Sequence, residues 1–213
     1  MTDSAIGILG GTFDPVHFGH LRPALDVADR LGLEQVHLVP CAVPPHRETP
    51  VATAQQRVAL LQLAIKNNPR FFVDERELQR EGPSYTIDTL RSLREDFPQK
   101  PLYLLVGTDA FMGIQSWHEW QQLLDFANIV VMQRPEETMS MPEELNSWYQ
   151  QHLFVETEGQ SLHGKIMPVK VTQLSISATQ IRTCIASGAS PQYLLPDAVI
   201  SLVEMLGLYQ QKK

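Results

Sequence analysis

The chain has 213 residues, of which 43% are hydrophobic and 19% charged, with a formal net charge of −7. That is enough apolar material for a sizeable core, which favours one domain over residues 1–213, and too little charge for a disordered chain. The acidic balance, with no Lys/Arg-rich run to offset it, argues against nucleic acid or an anionic membrane as partner, so an anionic substrate must meet locally placed cations.

Residues 5–9 form a short apolar run ended by Gly10-Gly11, as in a buried strand, and residues 19–31 follow with helical spacing until Gly32 stops them. Residues 36–39 read as a second strand, closed by Pro40, and VPPHRETP at 43–50 is a loop because its prolines fit neither helix interior nor central strand. Thr53 with Gln56 makes a capping-box signature for a helix through Val58, Leu61 and Ile65. Phe71–Val73 is a third strand, 86–97 an amphipathic helix, 103–106 a fourth strand, 120–126 helical and 129–132 a fifth strand. The stretch 134–164 is polar and aperiodic, predicting a surface loop and a short helix after Pro142. Residues 166–171 resemble a further strand, and 177–186 and 197–206 form a small C-terminal helical region, the first opened by a second capping box, Ser177 with Gln180. Alternating strands and helices predict an α/β, Rossmann-like, doubly wound parallel sheet with central order 3-2-1-4-5.

No basic stretch precedes a long apolar run at the N-terminus, and no segment reaches the roughly 20 apolar residues that span a bilayer, so a cytoplasmic setting is expected. Cys41 and Cys184 are too few for a disulfide framework and are expected as reduced, buried thiols.

Ligands of open parallel sheets bind beyond the carboxyl ends of the strands where strand order reverses. In the predicted order Gly10-Gly11-Thr12 and Gly107-Thr108-Asp109 flank that crevice, and glycines there let a phosphate approach backbone N–H groups at a helix start. His17 and His20, three apart at the start of the first helix, face one direction and suit donation to one anion. A metal site with His46 as third ligand is disfavoured, because no Cys or carboxylates recur nearby at ligand spacing. G-x-x-x-x-G-K-[ST] is absent, as is G-x-G-x-x-G after the first strand.

The whole string GGTFDPVHFGH resembles the phosphate-binding signature G-x-F-x-P-x-H-x-G-H of the nucleotidylyltransferase superfamily, with Gly11, Phe13, Pro15, His17, Gly19 and His20 at its fixed positions. The superfamily's late I-S-x-T-x-x-R segment is matched by ISATQIR, from Ile176 to Arg182. Ser177 and Thr179 would offer hydroxyls and N–H groups to phosphate and Arg182 a fixed cation, although plain helix capping is the alternative for Ser177. The resemblance implies an ATP site of Gly10, Gly11, Thr12, Phe13, Gly107, Asp109, Ile176, Ser177, Thr179 and Arg182, with Asp109 accepting from ribose hydroxyls and His17, His20 and Arg182 catalytic. An acceptor phosphate is already ionised at neutral pH, so attack on the α-phosphorus needs no general base. Positioning and charge stabilisation then suffice, with Mg²⁺ carried on the ATP phosphates.

PPHR at 44–47, EGPSYTIDTL at 81–90 and GTDAF at 107–111, followed by Trp117 and Trp120, are similar to bacterial nicotinate-nucleotide adenylyltransferases of NAD biosynthesis. The acceptor so implied is nicotinate mononucleotide, held by Thr12, His46, Arg47, Ser84, Tyr85, Thr86, Trp117 and Arg134. A flat ring bearing a carboxylate wants an aromatic platform, for which Trp117 is favoured, and N–H donors such as those at the Thr86 helix start. Trp120 is expected only to pack. Arg47 stands where the family usually has Lys. The rival readings are the same transfer to nicotinamide mononucleotide or phosphopantetheine, and a non-catalytic nucleotide-binding protein.

Overall fold

The computed structural model describes residues 4–43, 49–133, 140–155, 161–172 and 174–211. Its centre is a parallel six-stranded sheet in the order β3-β2-β1-β4-β5-β6. The strands are β1 (Ile6–Gly11), β2 (Gln35–Pro40), β3 (Phe71–Val73), β4 (Leu102–Gly107), β5 (Asn128–Gln133) and β6 (Ile166–Lys170). The predicted order holds, and the further strand adds to the β5 edge.

Near-continuous apolar runs form the inner strands because both sheet faces are covered. Period two then deals their side chains alternately to two cores. Leu102, Leu104 and Val106 of β4 join one cluster with Ile6, Ile8, Ile129 and Val131, while Tyr103 and Leu105 join the other with Leu9 and Val130. The helices follow in chain order as α1 (Phe18–Leu31), α2 (Ala54–Ile65), α3 (Thr86–Asp96), α4 (Thr108–Met112), α5 (Leu123–Phe126), α6 (Glu143–His152), α7 (Ala178–Ala186) and α8 (Asp197–Met205). Gly32 caps α1 in the left-handed conformation at φ 62, a geometry that side chains disfavour. The Thr53–Gln56 capping box opens α2 in both directions. Among the described residues no helix is long and apolar enough to cross a membrane.

The short helix expected after Pro142 forms as α6, which buries Leu145, Trp148 and Tyr149. The Trp148 ring meets Trp120 edge-on at 4.8 Å and Tyr149 meets Phe111 at 5.9 Å. Two expectations need correction. Cys41 and Cys184 are free thiols, but only partly buried. At the start of α7 only half of the expected box forms, with the Ser177 hydroxyl accepting from the Gln180 N–H at 3.1 Å.

The site-forming feature is a split in the sheet. β1 pairs with β2 to its last residue, Gly11 against Pro40, and β4 pairs with β5 to Gly107 against Met132, yet β1 and β4 part after Ile8 and Leu104. Beyond that point the sheet opens at its topological switch.

Asn128 pins the opposite ends of these strands. Fully buried, it donates to the carbonyls of Leu102 and Ser161, at 3.4 and 2.8 Å, and accepts the Lys165 N–H at 3.0 Å. Asn128→Ala would leave those backbone groups unpartnered, and urea denaturation should show a loss of about 2–3 kcal/mol.

Candidate active site

Both strand ends facing the split are open. A Cβ placed on Gly10 or on Gly107 would meet nothing within 4 Å, so the space beside the backbone is available to a ligand. Gly11 differs, because a Cβ there would press on the Phe13 ring at 3.1 Å. Phe13 is buried at φ 51, and this left-handed turn aims its ring back beneath Gly11.

The turn is held from below. The Asp14 carboxylate accepts the N–H groups of Val51 and Ala52 at 2.8 and 3.1 Å and the Tyr209 hydroxyl at 2.7 Å. Burial and the neighbouring Asp14 push the Tyr209 phenol far above its usual range, so it stays a donor. Arg57, 1% exposed in α2, donates to the carbonyls of Thr12 and Cys41, both at 2.8 Å, joining the loops after β1 and β2. Its Nε has no partner among the described residues.

His17 is the N-cap of α1 and His20 lies one turn on. Their rings stack at 3.8 Å, and Phe13 meets His20 edge-on at 5.1 Å, so the expected common orientation is realised. His20 Nδ1 accepts the His17 N–H at 3.4 Å, which puts the neutral ring's proton on Nε2. The helix start offers less than expected, because Phe18 N–H is taken by the Leu194 carbonyl at 3.1 Å and His20 N–H by His17 at 2.9 Å.

The late segment closes on the first motif. A Cβ on Gly19 would lie 2.9 Å from His17 Nδ1 and 2.9 Å from the Ile176 carbonyl oxygen, so only glycine admits this approach. Arg182 of α7 donates to the Asp14 carbonyl at 2.8 Å and to the Thr179 hydroxyl at 3.2 Å. Ser177 caps α7, the alternative weighed for it. Asp109 stands exposed in the first turn of α4, at the end of β4.

On the other side, Ser84 accepts the Ala42 N–H at 2.9 Å, tying the segment before α3 to the loop after β2. Tyr85 is the N-cap of α3, and its ring lies 4.5 Å from that of His118. Trp117 and Trp120 both pack in part against the second core, Trp120 as expected. His46, Arg47 and Arg134 lie outside the described residues. Sequence reasoning missed Asp14, Arg57 and Tyr209 as supports. Only Asp14 stood in a recognisable motif.

Charge at His17 also differs from what an anion site suggests. Burial pushes its imidazole down to about 4, so at neutral pH it is an uncharged dipole. The folded value lies below the unfolded value of about 6.5, so the stability tied to this group is fully present above pH 6.5 and is lost as pH falls toward 4. Between pH 7 and about pH 4.5 the wild type should lose about 2–3 kcal/mol more than His17→Asn, as read by urea midpoints at both pH values.

The Cytidylyltransferase-like family model matches residues 8–184 of the chain. A curated protein of Aeromonas hydrophila, named probable nicotinate-nucleotide adenylyltransferase, is 45% identical over 212 residues, spanning 99% of both chains. A relative of the same name from Pseudomonas syringae pv. tomato is 46% identical over 207 residues, spanning 96% of this chain and 93% of its own. Among solved structures, Plasmodium falciparum nicotinic acid mononucleotide adenylyltransferase complexed with NaAD matches at a TM-score of 0.74 and 18% identity, covering 97% of each chain, a likeness of fold.

Proposed function

The chain belongs to the nicotinate-nucleotide adenylyltransferases of the cytidylyltransferase-like family, and from that premise we propose that it transfers the adenylyl group of ATP to nicotinate mononucleotide, giving nicotinate adenine dinucleotide and pyrophosphate in NAD biosynthesis. The observation that carries the reading is the meeting of the two motifs at Gly19 and at the Arg182–Asp14 contact, beside the open ends of β1 and β4. Motifs at opposite ends of the sequence build one site, which supports residues 1–213 as one catalytic domain.

The acceptor phosphate attacks the α-phosphorus and pyrophosphate leaves, so the protein must align two anions and stabilise the charge that spreads over the transferring group. Gly10 and Gly107 leave the backbone open to the triphosphate, with Gly11, Thr12 and Phe13 forming the turn beside it, Asp109 toward the ribose and Ile176, Ser177 and Thr179 along the phosphates. His20 donates from Nε2. His17, its Nδ1 sealed without a partner among the described residues, has Nε2 to offer, as a neutral donor. Arg182 supplies the fixed positive charge.

No group of three His, Cys, Asp or Glu side chains able to hold a metal stands among the described residues. Mg²⁺ would therefore come on the ATP phosphates with its own waters, and it would neutralise charge there. The acceptor half draws on Ser84, Tyr85 and Thr86 at the start of α3, on Trp117 as the ring platform, and on Thr12, His46, Arg47 and Arg134. Cytoplasmic placement agrees with two free thiols.

Pyrophosphate release measured with ATP and each acceptor in turn tests the reading. Nicotinate mononucleotide should be preferred over its amide and over phosphopantetheine; preference for either of those would replace the acceptor named here. His20→Ala should lower kcat by roughly 10²-fold, the scale of removing one transition-state donor, while equilibrium ATP binding survives. Full turnover in a folded variant would remove His20 from the chemistry.

A further inference from the structure

A buried arginine outside both motifs spans the two halves of the site. Arg57 lies near the start of α2 and is 1% exposed. Burying a guanidinium costs free energy that an apolar side chain of similar volume would not, so core packing alone does not account for arginine here. Its planar fork sends Nη1 to the Thr12 carbonyl and Nη2 to the Cys41 carbonyl, both at 2.8 Å. One rigid group thus sets the span between backbone atoms of two loops.

Those loops serve different substrates. Thr12 follows β1 in the turn beside the triphosphate, whereas Cys41 follows β2 and leads into Ala42, whose N–H goes to the Ser84 hydroxyl at 2.9 Å, just before α3. The ladder between β1 and β2 ends at this level, with the Cys41 N–H on the Gly11 carbonyl at 3.0 Å. One step on, the Cys41 thiol and the Thr12 hydroxyl stand 3.7 Å apart, and a thiol is a weak donor. Past the ladder, the fork is the stronger link between the two loops among the described residues.

The fork has a fixed base. The Asp14 carboxylate takes the N–H groups of Val51 and Ala52, shortly before α2, at 2.8 and 3.1 Å, and the Thr53–Gln56 box sets the helix start. The turn after β1 therefore grips α2 through Asp14 and is gripped in return through Arg57. Without the fork each loop would keep its own strand and its own substrate contacts, but the span between them would no longer be set. That span decides how the acceptor phosphate meets the α-phosphorus.

We propose that Arg57 is a positioning residue for adenylyl transfer, its fork setting the register of the turn after β1 against the loop after β2. This rests on the reading above, in which the two loops receive the two substrates.

The test compares wild type, Arg57→Met and Arg57→Lys, each assayed below the midpoint of its own thermal melt. ATP and nicotinate mononucleotide are varied separately, and the single-turnover rate is measured at saturating concentrations of both. Arg57→Met removes both donors, and Arg57→Lys keeps the charge on one nitrogen that lacks the planar fork. Both variants should lower the single-turnover rate by roughly 10-fold or more, with each KM within about threefold of wild type. An unchanged rate, or KM values that rise with the loss of rate, overturns the assignment, because bracing each loop separately would act on binding. A wild-type rate in Arg57→Lys overturns it too, since charge would then suffice. Should Arg57→Met fail to fold, Arg57→Lys carries the comparison, and failure of both to fold makes Arg57 a support of the core and not of the reaction. A wild type that ignores nicotinate mononucleotide but uses another acceptor overturns the acceptor reading, and the same comparison with that acceptor decides on Arg57.

Discussion

The site depends on one close approach, at Gly19, where the His17 ring and the Ile176 carbonyl press from two sides to 2.9 Å of where a Cβ would stand. Any side chain there would drive the start of α1 away from the segment leading into α7. Arg182 would then lose the Asp14 carbonyl, and with it the contact that joins the late cation to the early turn. The histidine pair, the Phe13 turn and the guanidinium thus hold their relative positions through a gap that only a hydrogen atom fits. A backbone contact of this kind is stiffer than a bridge between long side chains, which suits a reaction that turns on alignment.

Beneath that contact the turn is secured by buried polar groups as well as by the apolar packing of Phe13 and Val16. Asp14 receives two backbone N–H groups and the Tyr209 hydroxyl, and Arg57 reaches two carbonyls from the opposite side. Hydrogen-bond partners for all of these groups but Arg57 Nε offset the cost of burying them, and their directional bonds specify one geometry of residues 12–14 where apolar contacts would accept several. His17 sits against this scaffold without charge, since burial costs an imidazolium more than a neutral ring. In a chain of net charge −7 the positive charge meeting a phosphate is thus local, with Arg182 its fixed part among the described site residues.

Strands and their order were legible because parallel strands covered on both faces read as apolar runs, and because alternating strands and helices admit few topologies. The signature from Gly11 to His20 was legible as spacing. What it could not display was the company it keeps, since Tyr209 lies 195 residues from Asp14 and Arg57 looks like any helical arginine until the fold buries it. Helix α6 was legible only as a short helix after Pro142, because Glu143, Glu144, Asn146, Ser147 and Gln150 outnumber the three residues that face the core. Ser84 was read as a contact for ligand and turns out also to bind Ala42, because a hydroxyl's partners are set by tertiary contacts that spacing does not encode.

The two halves of the site have separate supports. The phosphate side hangs on residues 12–20, Arg57, 176–182 and Tyr209, and its bonds run to the Thr12 and Asp14 carbonyls and to the Asp14 carboxylate in the signature turn. The acceptor side hangs on Ser84, which precedes α3, and its bonds run to Ala42 and Val43 in the loop after β2. They meet at Cys41, whose carbonyl Arg57 holds and whose neighbour Ala42 is held by Ser84. Substitutions beyond one residue on either side of that junction act on groups that share no partner, so their effects should be close to additive. A scaffold divided in this way can alter the acceptor it receives without loosening the phosphates it aligns, because the ring's contacts and the reacting centre are braced against different parts of the sheet.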